Sequence, residues 1–200
     1  MMLRKGFIPA VLAAVLLSVS AAAHSQVVHA ATEDHEVLTV GGGLSSYILD
    51  YGHTRKMEGV TVWVDWKLPH MPSLLDGLGI EAEGRDINFG RPSTLPRMRQ
   101  DTALIGAYYK WHKIGNFRPY AKYLAGIGSI DFPAFPGNPA YDHDTRTVLA
   151  PGGGVDYQIG RHFAVRLDYE YQFWRAIFGP RDLNPNGLTL GAVYSFGGRR

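Results

Sequence analysis

Between Phe163 and Trp174 the chain alternates strictly between two kinds of side chain. Phe163, Val165, Leu167, Tyr169, Tyr171 and Phe173 fall on one parity, and Ala164, Arg166, Asp168, Glu170, Gln172 and Trp174 on the other. A helix would smear both sets around its circumference, whereas a strand sends successive side chains to opposite faces. The stretch therefore reads as a strand with one apolar and one largely ionised face.

The same period recurs along the chain in segments separated by Gly, Pro, Asn and Asp clusters. Leu188, Leu190, Ala192, Tyr194 and Phe196 oppose Thr189, Gly191, Val193 and Ser195. Ala103, Ile105, Ala107, Tyr109 and Trp111 oppose Leu104, Gly106, Tyr108 and Lys110. Val60, Val62, Val64 and Trp66 oppose Thr61, Trp63 and Asp65; Leu78, Ile80 and Ala82 oppose Gly79, Glu81 and Glu83, with Arg85 next on the polar side. Weaker alternation runs through Leu38 to Ser45, Pro119 to Gly128 and Leu149 to Tyr157, which makes eight expected strands. Pro119 and Pro151 belong near strand ends or bulges, because proline cannot donate to a ladder.

The two faces can be assigned in two ways. A soluble sandwich or barrel turns the apolar face inward; a membrane barrel turns it toward lipid and encloses the polar one. Gly41, Gly43, Gly79, Gly106, Gly126, Gly128, Gly152, Gly154 and Gly191 all fall on the polar face. On an exposed face they would only weaken the sheet, but in a narrow tube they make room for large polar side chains from neighbouring strands. Tight connections at 113–116 and 159–161 contrast with long ones at 132–144 and 176–186. Short turns alternating with long loops are what an outer-membrane barrel shows. The connector at 68–76, with two prolines, is long for a turn on the short side. The expectation is an all-β, eight-stranded, antiparallel up-and-down transmembrane β-barrel.

The first thirty residues fit that destination. Arg4 and Lys5 precede an apolar run from Phe7 to Val19, and small residues follow at 21–23 and at Ala30. This is the layout of a secretory signal peptide. Residues 1–30 are expected to be that leader, cut between 23 and 30, and residues 31–200 the barrel domain. Without the leader the chain holds 18 bases and 18 acids, so no nucleic-acid footprint is expected. The absence of cysteine excludes a disulfide framework, a thiolate metal site and a cysteine nucleophile. No later stretch reaches the roughly 18 apolar residues of a membrane-spanning helix.

Three stretches carry a resemblance: Arg118-Pro119-Tyr120-Ala121-Lys122, the run from Gly152 to Tyr157, and the run from Val165 to Tyr171. Over roughly Val37 to Phe196 the sequence resembles the small eight-stranded outer-membrane barrels, the outer-membrane-protein-A-like or porin-like barrel domain. The resemblance implies the bacterial outer membrane as location, lipid and lipopolysaccharide as surroundings, and a monomer. It also implies that the barrel-assembly machinery reads a terminal signal, here Gly191, Tyr194 and Phe196, ahead of the extra residues 197–200.

On this arrangement the lumen holds Asp65, Glu81, Glu83, Asp156, Asp168 and Glu170 against Arg85, Lys110, Lys122 and Arg166. Buried charges are costly unless paired, so a salt-bridge network is expected, with Glu170 and Glu81 meeting Lys122, Arg85 or Arg166. The lipid-facing aromatics are Tyr109, Trp111, Tyr157, Tyr169, Tyr171, Phe173, Tyr194 and Phe196. An eight-stranded barrel is filled by its own side chains. A structural or surface-interaction role is therefore expected; a narrow ion or small-solute channel and a soluble lipocalin-type carrier are the alternatives. The scattered histidines form no Ser-His-acid constellation, so neither enzyme activity nor a cofactor is expected. Asp142-His143-Asp144 reads as a solvated loop triplet rather than a metal site. Arg91, Arg97 and Arg99 share one expected outer loop that can touch anionic lipopolysaccharide.

Overall fold

The computed structural model describes residues 38–51, 53–89, 98–131, 143–177 and 181–196. Residues 1–37, with the segment expected to be a leader, and Arg91, Arg97, Asp142 and residues 197–200 lie outside the described residues. The strands are β1 (Leu38–Tyr51), β2 (His53–Lys67), β3 (Leu78–Phe89), β4 (Arg99–Lys110), β5 (Phe117–Asp131), β6 (His143–Gln158), β7 (Phe163–Tyr171), β8 (Phe173–Ile177), β9 (Arg181–Leu183) and β10 (Asn186–Phe196). Neighbouring strands pair antiparallel throughout, and β1 also pairs with β10, so the sheet returns to its first strand. Closure leaves no long edge to template aggregation.

The ten strands make eight staves. β8 continues β7 beyond a break at Gln172, and β9 and β10 together form the last stave. Pro151 explains one side of that break. The β6–β7 ladder stops at Gly152↔Glu170 and resumes on β8 at Leu149↔Phe173, so proline lies where the ladder lapses. On the other side Gln172 N donates to Pro185 O at 2.7 Å, which bridges the gap. Gly115, in the β4–β5 turn, has φ +64°, a left-handed position that glycine adopts at no steric cost.

The strands extend further toward the long connectors than the alternation indicates. Arg99 opens β4 rather than lying in an outer loop, and pairs with Asp86 at 2.8 Å and Asp101 at 3.1 Å. His143 and Asp144 likewise begin β6 instead of lying in a loop, although His143 remains exposed to solvent. There His143 meets Asp131, its cross-strand partner, at 2.5 Å, and Asp144 meets Arg146 at 3.0 Å. The reason is physical: cross-strand pairing satisfies charged residues as well as apolar ones, so the ladder outlasts the hydrophobic period.

The side chains sort by parity as a membrane barrel requires. Leu44 (71% exposed), Ile127 (60%) and Leu190 (59%) point outward from the middle of their strands. Leu167 and Tyr169 point outward as well, while Asp168 and Glu170 are buried inside.

The interior has two storeys. Toward the short turns it is ionised. Toward the long connectors Tyr47, Leu49, Met57, Ile87, Ile130, Val148, Trp174, Ile177 and Leu183 form one buried apolar cluster. Between them lies an amide layer in which Gln100 donates to Gln172 at 2.9 Å, and Trp174 Nε1 donates to the same Gln172 oxygen at 2.8 Å.

Several inner-face glycines make room for aromatic rings, Gly152 makes room for the Lys122 chain, and others, such as Gly106 and Gly126, lie against the backbone of the next strand. A Cβ on Gly41 would meet the Trp63 ring, one on Gly79 the Tyr108 ring, and one on Gly128 the Trp174 ring. A ring set against a glycine occupies the space a side chain would otherwise need, which suits a narrow tube.

Candidate functional site

The ten charged residues expected in the lumen form one connected network. Lys110 Nζ lies 2.7 Å from Asp65 and 3.2 Å from Asp156. Arg166 reaches Asp65 and Asp156 at 2.7 Å each and Glu81 at 3.2 Å. Lys122 Nζ has Glu83 at 2.7 Å and Glu81, Asp168 and Glu170 each at 3.1 Å. Arg85 closes the chain on Glu83 at 2.6 Å and Glu170 at 2.7 Å. Glu81 thus meets Lys122 and Arg166, and Glu170 meets Lys122 and Arg85.

Alternation in β2 through β7 aims each side chain inward, and ring closure brings opposite staves within reach. The burial is extreme: Glu81 and Glu170 expose no surface and Arg166 exposes 2%. Such ions are tolerated only when paired and hydrogen-bonded. Neutral groups add hydrogen bonds to the pairing. Arg85 Nε donates to Thr61 Oγ1 at 2.9 Å, Gln172 Nε2 to Glu170 at 2.8 Å, and Tyr120 Oη to Asp168. Arg166 lies 4.5 Å from the Tyr120 ring centre and 5.0 Å from that of Trp63; Arg85 stands 4.3 Å over Tyr47. These are cation–π distances.

Tyr47, Thr61, Gln100 and Gln172 join the network without having been singled out from sequence. Their signal was parity alone, since each shares the inward face of a strand already read.

Carboxylate oxygens of Glu83, Asp168 and Glu170 lie within 4.8 Å of one another, a spacing a metal ion could use. Lys122 Nζ stands among those same three residues, so the chain supplies the positive charge itself.

The outward aromatics divide between the two rims. Tyr109, Trp111, Tyr157, Tyr194 and Phe196 lie at the short-turn rim, and Tyr171 and Phe173 toward the long-connector rim. Tyr169 stands between them, opposite Gly153. Ring contacts tie neighbours together: Tyr109–Trp111 at 5.2 Å, Tyr171–Phe173 at 4.9 Å and Tyr194–Phe196 at 4.9 Å. Trp66, Phe117 and Phe163 extend the lower belt. Gly191 lies inside β10 beneath the Trp63 ring, while Tyr194 and Phe196 point outward beyond it.

A closed antiparallel barrel with an apolar wall, aromatic rims and an ionised interior defines an integral outer-membrane protein. A soluble carrier would need the opposite facing. The chain belongs to the outer membrane protein beta-barrel domain family, whose model matches residues 10–196. It resides in the bacterial outer membrane.

Solved structures share the fold. Neisserial surface protein A has a TM-score of 0.65 at 12% identity, over 80% of this chain and 97% of that one. The attachment invasion locus protein Ail of Yersinia pestis has a TM-score of 0.55 at 15% identity, over 80% and 97%. The outer membrane protein OprG from Pseudomonas aeruginosa has a TM-score of 0.51 at 13% identity, over 80% and 95%. No curated protein sequence matches the chain significantly.

Proposed function

We propose that the protein is a membrane-embedded scaffold that presents its long connectors at the cell surface, with a lumen plugged by its own side chains. The observation that carries this reading is the filling of the bore at successive levels. The ionised storey bridges opposite staves, the Gln100–Gln172 layer crosses above it, and the apolar cluster around Trp174 lies beyond. An ion entering from the long-connector side would have to shed its hydration shell against that cluster. Two of the structural relatives carry surface or attachment names, which agrees with a role at the cell surface.

The second reading, a narrow ion path, draws on the continuity of the charge chain from Lys110 to Arg85. The two separate in a planar bilayer. The purified barrel is expected to give no steady unit currents, whereas reproducible unit steps would replace the scaffold with the channel.

The remaining assignments belong to the same proposal. Lipid and lipopolysaccharide surround a monomer. The barrel-assembly machinery reads Gly191, Tyr194 and Phe196. We assign the barrel no catalytic role, cofactor or nucleic-acid partner. Light scattering of the detergent-solubilised protein tests the monomer. Depletion of the assembly machinery should leave the chain out of the outer-membrane fraction.

A further inference from the structure

The connector between β2 and β3 spans residues 68–77, and it exposes two of its leucines, Leu74 and Leu75. Both of its ends are pinned, with Leu68 N donating to Leu78 O at 3.1 Å and Lys110 N to Gly77 O at 2.9 Å. Between them a single 3-10 turn, Ser73–Leu75, is closed by Leu75 N donating to Pro72 O at 2.7 Å. Lys67 and Asp76 pair at 2.9 Å across its base. Leu74 is 81% exposed and Leu75 42%.

The contact that orients this turn comes from the barrel wall. Tyr109 Oη donates to Leu74 O at 2.9 Å, and a Cβ on Gly77 would lie 3.2 Å from the Tyr109 ring. Tyr109 is an outward residue of β4, edge-on to Trp111 in the aromatic rim. The connector therefore leans against the lipid-facing surface. A phenol at that depth needs a partner, and the turn supplies a carbonyl. In exchange the turn presents two leucines beside an aromatic belt, the arrangement of a segment lying in a membrane interface.

We propose that this connector is a membrane foot: Leu74 and Leu75 rest in the boundary between headgroups and acyl chains of the phospholipid leaflet on the short-turn side. The occupant is phospholipid because the leucines continue the surface that the barrel already gives to lipid. Lys67 and Asp76 then lie level with the zwitterionic headgroups. This rests on the outer-membrane reading of the barrel and adds a contact outside the strands.

Because the chain has no cysteine, a single one can be labelled uniquely. Leu74→Cys, refolded into phosphatidylcholine vesicles and carrying an environment-sensitive fluorophore, is compared with two reference positions. Ile105→Cys reports the barrel wall, since Ile105 points outward and is 59% exposed. Gly160→Cys reports an open turn tip, because a Cβ on Gly160 would have nothing within 4 Å of it. The label at 74 is expected to be quenched by phospholipid brominated in its chains and shielded from aqueous iodide, as at 105. A label at 74 as open to iodide as the one at 160, and insensitive to brominated lipid, overturns the foot. Should the label at 105 also escape the brominated lipid, the membrane reading itself fails and not the foot alone. Leu75→Cys repeats the test if the label at 74 prevents refolding.

Discussion

Arg85 and Glu170 meet at 2.7 Å across the lumen, from staves on opposite sides of the ring. Arg85 holds Glu83 as well, so it neutralises two buried carboxylates at once. Replacing it with Met removes that charge and leaves both acids in place. Breaking a buried pair by deleting one partner costs about 3–5 kcal/mol. Arg85→Met is expected to lose about that much in reversible urea unfolding of the lipid-inserted barrel, and Arg85→Met/Glu170→Gln to recover part of it. A loss within experimental error in the single variant would sink the pairing argument.

Lys122 serves four carboxylates with one compact ammonium. A guanidinium is planar and larger, and cannot face all four at once. Lys122→Arg keeps the charge yet overpacks the site, so a loss of about 1–3 kcal/mol is expected. Thermal unfolding in matched detergent checks it; unchanged stability would mean that the lysine is held by charge alone.

Trp63 covers Gly41 and Gly191 on two neighbouring strands. A methyl at either glycine must displace an indole that has nowhere to go. Gly41→Ala should cost about 1–3 kcal/mol, appearing as a lower urea midpoint at unchanged slope. Adding Trp63→Phe to Gly41→Ala should restore part of the midpoint, since the smaller ring vacates the space.

Tyr109→Phe removes one hydrogen bond and nothing else from the outer wall. The loss in stability should be modest, about 0.5–1.5 kcal/mol. A spin label at Leu74→Cys should gain mobility in the Tyr109→Phe background, because the carbonyl of Leu74 loses its anchor. No change in the spectrum would show that the pinned ends alone hold the connector.

The strand from Phe163 to Trp174 was legible to the residue: both faces follow parity, through a break at Gln172 that parity does not reveal. The network was legible for the same reason, since ring closure brings inward charges together whatever their order in the chain. Two features escaped. The outer ends of β3, β4 and β6 carry Asp86, Arg99, Asp101 and His143, whose polarity resembles a loop although their backbones are laddered. The apolar upper storey escaped because Tyr47, Leu49, Ile87 and Ile130 break the polar-inside rule that the lower half obeys. Lipid fixes the character of only the outer face, and the inner face is free to change with depth.

Ring closure also has a meaning for assembly. Arg166 to Glu81 and Arg85 to Glu170 join positions 85 apart in sequence and span the bore between β3 and β7. Pairs such as Lys110–Asp65 and Arg166–Asp156 lie within two staves of each other, so a growing sheet can form them before it closes. The contacts across the bore come only as the sheet curls, and they reward the rolled form alone. These cross-bore charges thus act as a latch that favours the finished cylinder over a flat intermediate.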